Sequence, residues 1–518
     1  MPTTCRNLIL VLGDQLDAQS VSLRDADPDH DVVWMAETQE EATHVWCHKF
    51  RLVAFFAPMR HFRRHLEKDG FTVDYHELTE DGRQGRVSSF ARQLQDAVQR
   101  LQPDKLIVME PGDYRVAQQL HRTADELGIE LEQRENDRFF CSRDQFRQWR
   151  SGRKQMVLEQ FYRMLRQQHD LLLDGDGKPT GGSWNYDQEN RQTFGKAGPG
   201  ELPEPKRFQP DALTRDVMAM VESRFADHPG SCEQFDLPVT REQALEALED
   251  FIQERLAKFG QYQDAIWLGT DELYHSRLSH AINISLLHPR EVVDAAIEAY
   301  RAGAVPLNSC EGFVRQIVGW REYVRGIYWD QMPGYLEKNS LHCNPDRDVP
   351  QCFWDGDTEM ACVRDAMRLV LKFAYAHHIQ RLMVLGLYAQ LLGVAPLKFH
   401  QWHMAMYADA IDWVSAPNTI GMSQHGDGGL MATKPYCASG NYINRMSNAC
   451  GQCRFNPKQA TGEAACPFTV LYWDFLDRHR KQFEGNQRMR MQLKNLDRKS
   501  EDELRQIRKQ AKELKDKF

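Results

Sequence analysis

The first 140 residues alternate short strand-like runs with longer amphipathic stretches, and this alternation restricts the fold more than any other feature of the chain. Leu8-Ile9-Leu10-Val11-Leu12 is stopped by Gly13-Asp14, and Val32-Val33-Trp34-Met35, Thr72-Val73-Asp74-Tyr75 and Leu106-Ile107-Val108-Met109 follow. Short apolar runs bounded by turn residues read as buried strands. Helical patterns lie between them, over 43–68 (with Val45, Phe50, Val53, Ala54, Phe56 and Phe62), roughly 86–101, and 114–127. Strands alternating with helices imply an α/β domain with a parallel, Rossmann-like sheet. Ligands of such sheets sit beyond the carboxyl ends of the strands. The loops Gly13-Asp14-Gln15-Leu16 and Glu37-Thr38-Gln39-Glu40 leave those ends.

The remaining chain is different. Residues 173–210 are rich in turn formers, yet Ser183-Trp184-Asn185-Tyr186-Asp187 interrupts them with two aromatics, so the linker is expected to pack against something. From 211 to 480 helical patterns dominate. Residues 241–258 carry an apolar face at 244, 245, 248, 251, 252 and 256, and 359–393 is expected to be helical throughout. From Arg480 onward there are 13 Lys and Arg against 7 Asp and Glu, which reads as a solvated helical extension. The expected organisation is therefore an α/β domain over 1–140, a helical connection and linker over 141–210, an all-α domain over 211–480 and a charged extension over 481–518.

Composition narrows the function classes. A formal charge of −9 argues against a generally basic nucleic-acid coat, while leaving room for a local basic groove. No apolar run approaches the ~20 residues of a membrane helix, and the start, Met1-Pro2-Thr3-Thr4-Cys5-Arg6, lacks a signal-peptide pattern. Twelve cysteines in 518 residues are too dilute for a disulfide scaffold, which points to a reducing cytoplasm. Cys450-Gly451-Gln452-Cys453 is a CxxC pair, and Cys466-Pro467 follows after twelve residues. Zinc ribbons usually carry a second CxxC, so this spacing fits a four-cysteine iron–sulfur site somewhat better than zinc. Spacing alone leaves the fourth ligand open among Cys352, Cys362 and Cys437.

Three helical segments carry further chemistry. Tyr274-His275-Ser276-Arg277-Leu278-Ser279 precedes Asn283 and Leu286-Leu287-His288-Pro289, and its hydroxyls and amides suit phosphate oxygens, although a serine before a helix is usually a cap. Phe313-Val314-Arg315-Gln316-Ile317-Val318-Gly319-Trp320-Arg321-Glu322-Tyr323 places two arginines beside Trp320. Tyr375-Ala376-His377-His378-Ile379-Gln380-Arg381 sets adjacent histidines on an apolar helix. Together with Tyr407-Ala408-Asp409-Ala410, Pro417-Asn418-Thr419-Ile420-Gly421-Met422-Ser423-Gln424, Lys434-Pro435-Tyr436 and Ser439-Gly440-Asn441-Tyr442-Ile443-Asn444-Arg445-Met446, these segments resemble the photolyase/cryptochrome superfamily over nearly the whole chain. The resemblance is closest to its iron–sulfur bacterial branch, the prokaryotic (6-4) photolyases and related cryptochromes.

That resemblance implies an α/β antenna domain and an all-α domain holding FAD and a [4Fe-4S] cluster. The matching cluster ligands are Cys362, Cys450, Cys453 and Cys466. Ser276, Leu278 and Ser279 match the FAD diphosphate site. Gln316, Trp320, Arg321, His378, Arg381, Asp409 and Ser415 match the rest of the pocket. A 6,7-dimethyl-8-ribityllumazine antenna would lie near Gly13, Asp14, Gln15, Glu37 and Lys49. His378, with His377 beside it, matches a proton donor near its pKa; Tyr436 and Tyr442 match aromatics near lesion and flavin, and Trp402 and Trp354 match an electron relay. Two positions depart from relatives: His403 stands where a Tyr often follows the relay Trp, and Ser415 stands where an amide or acid is expected opposite the flavin N5. The implied activity is light-driven repair of (6-4) photoproducts in UV-damaged DNA, by a monomeric bacterial protein of the cytoplasm and nucleoid. The rival readings are a blue-light receptor of the same architecture, a non-photochemical iron–sulfur nucleic-acid-binding protein, and repair of cyclobutane dimers.

Overall fold

The computed structural model describes residues 5–80 and 89–517. Met1-Pro2-Thr3-Thr4 and the first turn of the expected 86–101 helix, residues 86–88, lie outside the described residues. β1 (Asn7–Leu10), β2 (Val32–Ala36), β3 (Thr72–His76), β4 (Lys105–Met109) and β5 (Glu130–Arg134) form one parallel sheet in the order β3-β2-β1-β4-β5. Side chains alternate across it. Ile9, Val33, Met35 and Ile107 join the large core shared with the helical region, whereas Leu8, Leu10, Trp34, Leu106 and Val108 meet Phe90, Leu94 and Leu120 on the other face. Trp34 packs edge-on to Phe90 with ring centres 5.1 Å apart.

Strand order reverses between β1 and β4, where a sheet of this kind usually opens a ligand crevice. Here the helical region is seated in that crevice. The Gln15 side-chain amide donates across it to Met109 O at 3.0 Å, Leu16 N donates to Ile284 O at 3.0 Å, and Ser285 Oγ donates to Asp14 O at 2.7 Å. Gly112 lets the chains approach: a Cβ there would lie 2.9 Å from the Trp413 ring. Arg51 adds bonds to Tyr407 O and Ala410 O at 2.9 and 2.7 Å.

The 43–68 stretch is helical only over Lys49–Lys68, because the His48 ring caps the helix by accepting from Phe50 N at 3.0 Å. The 359–393 stretch is two helical pieces, not one. Ala361–Phe373 is closed by Ala374 in the left-handed conformation (φ 47°), and helix resumes at His378. That break places Tyr375-Ala376-His377-His378 at a helix entrance. The linker is pinned, as its aromatics suggested: Trp184 O accepts from Arg166 and Arg315 at 3.0 and 3.2 Å, and the Arg166 guanidinium lies 5.0 Å from the Trp184 ring centre. The charged extension is not wholly solvated. In its last helix, Glu501–Lys515, Leu504, Ile507 and Ala511 are buried, and Lys515 pairs with Asp474 of the helix Pro467–Arg478. Among the described residues no helix is long and apolar enough to cross a membrane.

The helix Arg143–Arg150, which leaves the sheet-bearing region, packs Phe146 directly on Gly326 of the helix Glu322–Gln331. A Cβ at Gly326 would sit 2.1 Å from the Phe146 ring. Gly326→Ala is therefore expected to overpack this contact and destabilise the protein by about 1–3 kcal/mol, read as a lower urea midpoint with an unchanged slope.

Candidate functional site

A cavity of about 500 Å³ opens in the helical region, a volume typical of cofactor sites. Much of its wall comes from three helices that each widen into a π-helical stretch: Arg315–Arg321, Arg381–Gly386 and Pro417–Ser423. Such widened turns shift side chains out of ordinary helical register and recur at functional sites. The first brings Gln316, Trp320 and Arg321 to the cavity, the second Arg381, and the third Thr419 and Ser423.

Arg381 and Asp409 form the centre. The guanidinium donates to both carboxylate oxygens at 2.8 and 3.0 Å, and its Nε donates to Ala376 O at 2.6 Å. Ser279 Oγ donates to the same carboxylate at 2.6 Å, and the Asn283 amide donates to Asp409 O at 2.9 Å. Burial alone would raise the Asp409 pKa; the Arg381 charge and these hydrogen bonds outweigh it and hold the group at about 2. The Arg381 guanidinium also lies 4.0 Å from the Tyr407 ring centre. Arg277, held by Asp236 at 2.8 Å and Glu272 at 2.6 Å, fixes the loop before Ser279 in a left-handed conformation (φ 54°).

Ser276, Ser279, His378, Ser415 and Tyr436 also face the cavity. Three of the expected residues are not among its lining side chains. Leu278 is buried in the core, with its amide donating to Ser276 Oγ at 3.3 Å. His377 stacks instead on His275, with ring centres 4.2 Å apart and planes 14° from parallel. Tyr442 is half-buried on the helix Gly440–Met446, beneath the Arg445 guanidinium. Arg277, Gln263 and Thr419 are cavity residues that sequence reasoning missed as site residues. Arg277 is the one cation of the quoted 274–279 motif, and that was the available signal.

Several buried polar atoms of the wall lack partners among the described residues: Gln263 Oε1, Arg321 Nε, His403 Nδ1 and Ser415 Oγ. Each such group costs about 1–3 kcal/mol unless a ligand or water satisfies it. With arginines 277, 315, 321 and 381 around them, these atoms fit a polar, anionic cofactor. Thr419 also connects outward. Its hydroxyl lies 3.0 Å from His400 Nδ1, and His400 Nε2 lies 2.9 Å from Asp412, which also accepts from Tyr328.

His378 lines the cavity wall. Enclosure by the protein, then the Arg381 charge, then His275 push it down to about 4. Its ring is open to the cavity interior, so water there offsets part of the burial effect, but the neighbouring cation still keeps the imidazole neutral at pH 7. His403 faces the cavity too, 4.5 Å from the Tyr407 ring, and is held well below the usual histidine range by burial and Arg381. Trp402 is buried behind this wall. Its Nε1 donates to Phe353 O at 2.9 Å, and its ring stacks on Phe399, a wall residue, at 5.6 Å.

Cys362, Cys450, Cys453 and Cys466 line one small cavity, and neither Cys352 nor Cys437 lines it. Gly440 is needed beside it: a Cβ there would sit 2.8 Å from Cys466 Sγ. Burial, and then the mutual repulsion of Cys466, Cys450 and Cys453, raise the Cys362 pKa well above its ordinary value. Among the described residues no three Cys, His, Asp or Glu side chains stand close enough to hold a metal ion as they are placed, although four thiols sharing one cavity have the donor chemistry of a thiolate-bound metal centre.

The expected antenna residues have the following partners. Gly13, Asp14 and Gln15 lie in the seam between sheet and helical region, where burial pushes Asp14 up to about 6. The Glu37 carboxylate accepts from Arg60 at 2.7 and 2.8 Å, Tyr75 OH at 2.7 Å and Leu78 N at 2.9 Å. Lys49 pairs with Glu222 at 2.8 Å.

Comparison with known proteins agrees with this architecture. The family described as deoxyribodipyrimidine photo-lyase-related protein matches residues 9–237. The (6-4) photolyase of Agrobacterium fabrum (strain C58 / ATCC 33970) is 43% identical over 506 residues, covering 97% of this chain and 98% of that protein. The chain belongs to this photolyase family. Its fold is similar to that of a bacterial class III photolyase from Agrobacterium tumefaciens (TM-score 0.56, 17% identity, 100% of this chain and 98% of that one). It is also similar to an archaeal photolyase from Sulfolobus tokodaii solved with two FAD molecules (TM-score 0.51, 13% identity, 92% and 88% of the two chains). The expected fold, a parallel α/β domain followed by a helical one, is the observed one.

Asp409→Asn leaves Arg381 without its counter-charge in the cavity wall, and the expected loss is about 3–5 kcal/mol, measured by urea unfolding of the apoprotein. A second expectation concerns pH. Burial holds His48, His275 and His280 at about 4, against about 6.5 in an unfolded chain. Between those values the unfolded chain binds more protons than the native one, so stability falls as pH falls through that window. Thermal melts of the apoprotein should show a lower Tm at pH 5 than at pH 7.5.

Proposed function

We propose that this protein repairs (6-4) pyrimidine–pyrimidone photoproducts in DNA by light-driven electron transfer from reduced FAD. The observation that carries this reading is His378 facing the same cavity as the Arg381–Asp409 pair and the unpartnered polar atoms, in a chain that matches a (6-4) photolyase from end to end. FAD, when bound, supplies the photoexcited electron. Arg381, fixed by Asp409, offers a rigid cation to the cofactor. Ser276, Ser279, Gln316, Trp320 and Arg321 form its surroundings, and the orphan atoms of His403 and Ser415 are free to meet its polar edge. A damaged pyrimidine pair reaches such a cavity only when flipped out of the duplex. His378 is neutral in the empty site, and an added negative charge, from the cofactor or the lesion backbone, raises its pKa toward the working range of an acid. Tyr436 on the cavity wall, with Tyr442 nearby, offers stacking surface to an extruded base, and His377, stacked on His275, backs the 375–378 loop.

The remaining parts of the reading are carried by family resemblance and by donor chemistry. Cys362, Cys450, Cys453 and Cys466 would hold a [4Fe-4S] cluster. A 6,7-dimethyl-8-ribityllumazine antenna would involve Gly13, Asp14, Gln15, Glu37 and Lys49, and the resemblance alone supports it. The protein would act as a monomer on UV-damaged DNA in the cytoplasm and nucleoid. It would follow the proposed division into 1–140, 141–210, 211–480 and 481–518.

The direct test is restoration of a synthetic (6-4) oligonucleotide by purified, reduced protein under blue light and in darkness. Light-dependent restoration is expected. Its absence with flavin bound would move the assignment to a blue-light receptor. His378→Ala should keep flavin absorbance and lose about 10²-fold or more in repair; normal repair would remove the proton-donor role. Cys453→Ser should give little soluble holoprotein, and a stable, fully active variant would remove the cluster assignment.

A further inference from the structure

We infer that the buried His400–Asp412 pair is a proton store that serves the cavity through the hydroxyl of Thr419. The inference rests on the reading of the cavity as a flavin site, and it adds a proton source distinct from His378. His400, on the helix Pro396–Met406, is 4% exposed and Asp412 is 8% exposed. Neither lines the cavity, but Thr419 does. The Thr419 hydroxyl lies 3.0 Å from His400 Nδ1, and His400 Nε2 lies 2.9 Å from Asp412 Oδ1. The other Asp412 oxygen accepts from Tyr328 OH, which itself accepts from Tyr114 N at 2.9 Å. These side chains form one unbroken row from the cavity wall to the seam with the sheet-bearing region.

The Thr419 hydroxyl gives the row two settings. A hydroxyl has one proton to donate and lone pairs that accept. Besides His400 Nδ1, it reaches the carbonyls of Ser415 and Ala416, at 2.8 and 3.2 Å. When it donates to Nδ1, the imidazole is neutral and donates from Nε2 to the Asp412 carboxylate. When it donates to Ser415 O instead, Nδ1 can carry a proton of its own, and His400 is an imidazolium held by Asp412. A buried cation is tolerable there because the carboxylate faces it. The settings differ by one proton and the rotation of one hydroxyl, and the imidazole and carboxylate stay hydrogen-bonded in both.

The titratable and charged groups around the pair are Tyr328, His403, His44 and Asp113, with Arg115 and Glu41 behind Asp113. His44 is exposed, and burial followed by the Asp412 charge pushes the Asp113 carboxyl up. These two groups stand on the solvent side and can replace a proton that the store has given away. Delivery itself moves protons and no electrons. The Thr419 O–H bond breaks as its proton passes to a base in the cavity. A new O–H bond forms with the proton leaving His400 Nδ1, and the imidazolium becomes neutral imidazole. The base is flavin that has gained an electron, under light, from a thiol in solution.

The test is flash photoreduction of the flavin-loaded protein with a thiol present, followed by the absorbance change that marks protonation of the flavin. Thr419→Val removes the hydroxyl and nearly keeps the shape, whereas Thr419→Ser keeps the hydroxyl. Protonation is expected to slow by about 10²-fold in Thr419→Val and in His400→Asn, and to stay close to the wild-type rate in Thr419→Ser. A solvent deuterium isotope effect should accompany the step in wild type and Thr419→Ser. Equal rates in wild type and Thr419→Val would overturn the proposal. A second readout tests the store whatever fills the cavity: heteronuclear NMR, in the dark, of protein labelled at its histidine nitrogens, with His400→Asn identifying the signal. His400 should be found both singly and doubly protonated across the pH range in which the protein stays folded. Asp412→Asn should shift that balance toward the singly protonated ring, because it removes the opposing charge. A ring with one proton at every such pH would overturn the store. Both protonation states of His400 in a protein that binds no flavin would refute the flavin reading and leave the store standing.

Discussion

The Arg381–Asp409 ion pair organises the helical region. It is one bidentate contact, yet it ties together four separate pieces of chain: Arg381 at the head of a widened helix, the Ala376 carbonyl at the break before it, Asp409 after the helix that bears Trp402, and the Ser279–Asn283 turn. A buried pair of this kind is costly to desolvate and adds little net stability compared with an apolar contact. Its value lies in geometry. Both partners are held by several directional hydrogen bonds, which fix the cavity wall they form. Burial first, and then the same cation, push His378 and His403 down.

The sheet contributes by giving up its own usual site. In an open sheet of order β3-β2-β1-β4-β5, the crevice between β1 and β4 is the natural ligand position. Leu16, Asp14 and Gly112 instead receive Ile284, Ser285 and Trp413, so the sheet serves as a platform for the helical region. The platform reaches the cavity at few removes: Arg51 binds the carbonyls of Tyr407 and Ala410, which bracket Asp409. A rigid seam of this kind holds any chromophore of the first region in a fixed relation to the second.

What was legible in the chain follows from the physics of each element. The strands β1, β2 and β4 read clearly because both their faces are buried and their sequences are apolar. β5, with the sequence Glu-Leu-Glu-Gln-Arg, did not, because an edge strand has one neighbour and carries charges that guard its free side. The break at Ala374 was invisible since alanine favours helix; tertiary packing overrides that preference. The widened helical turns were equally hidden, and they decide which motif residues reach the cavity. Ser276, Ser279, Gln316, Trp320, Arg321, Arg381, Asp409 and Ser415 do, whereas Leu278 and His377, adjacent in sequence to cavity residues, point elsewhere. The fourth cysteine could not be chosen by spacing, yet folding brings Cys362 from 88 positions before Cys450 into the same small cavity.

The low basicity of the cavity histidines bears on how proton and electron steps can be coupled. An imidazole that was already charged in the empty cavity would repel Arg381 and would need no partner to release its proton. His378 is instead neutral beside a fixed cation, and only added negative charge can reverse that balance. Two sources fit the proposed reaction: the cofactor, and the phosphates flanking an extruded lesion. In the proposed reaction, protonation of His378 would then follow occupancy of the cavity. His403 is pushed well below the usual histidine range by burial and then by the same cation, and even a neutral imidazole is a poor one-electron donor. Behind it, the buried Trp402 meets the cavity wall through Phe399.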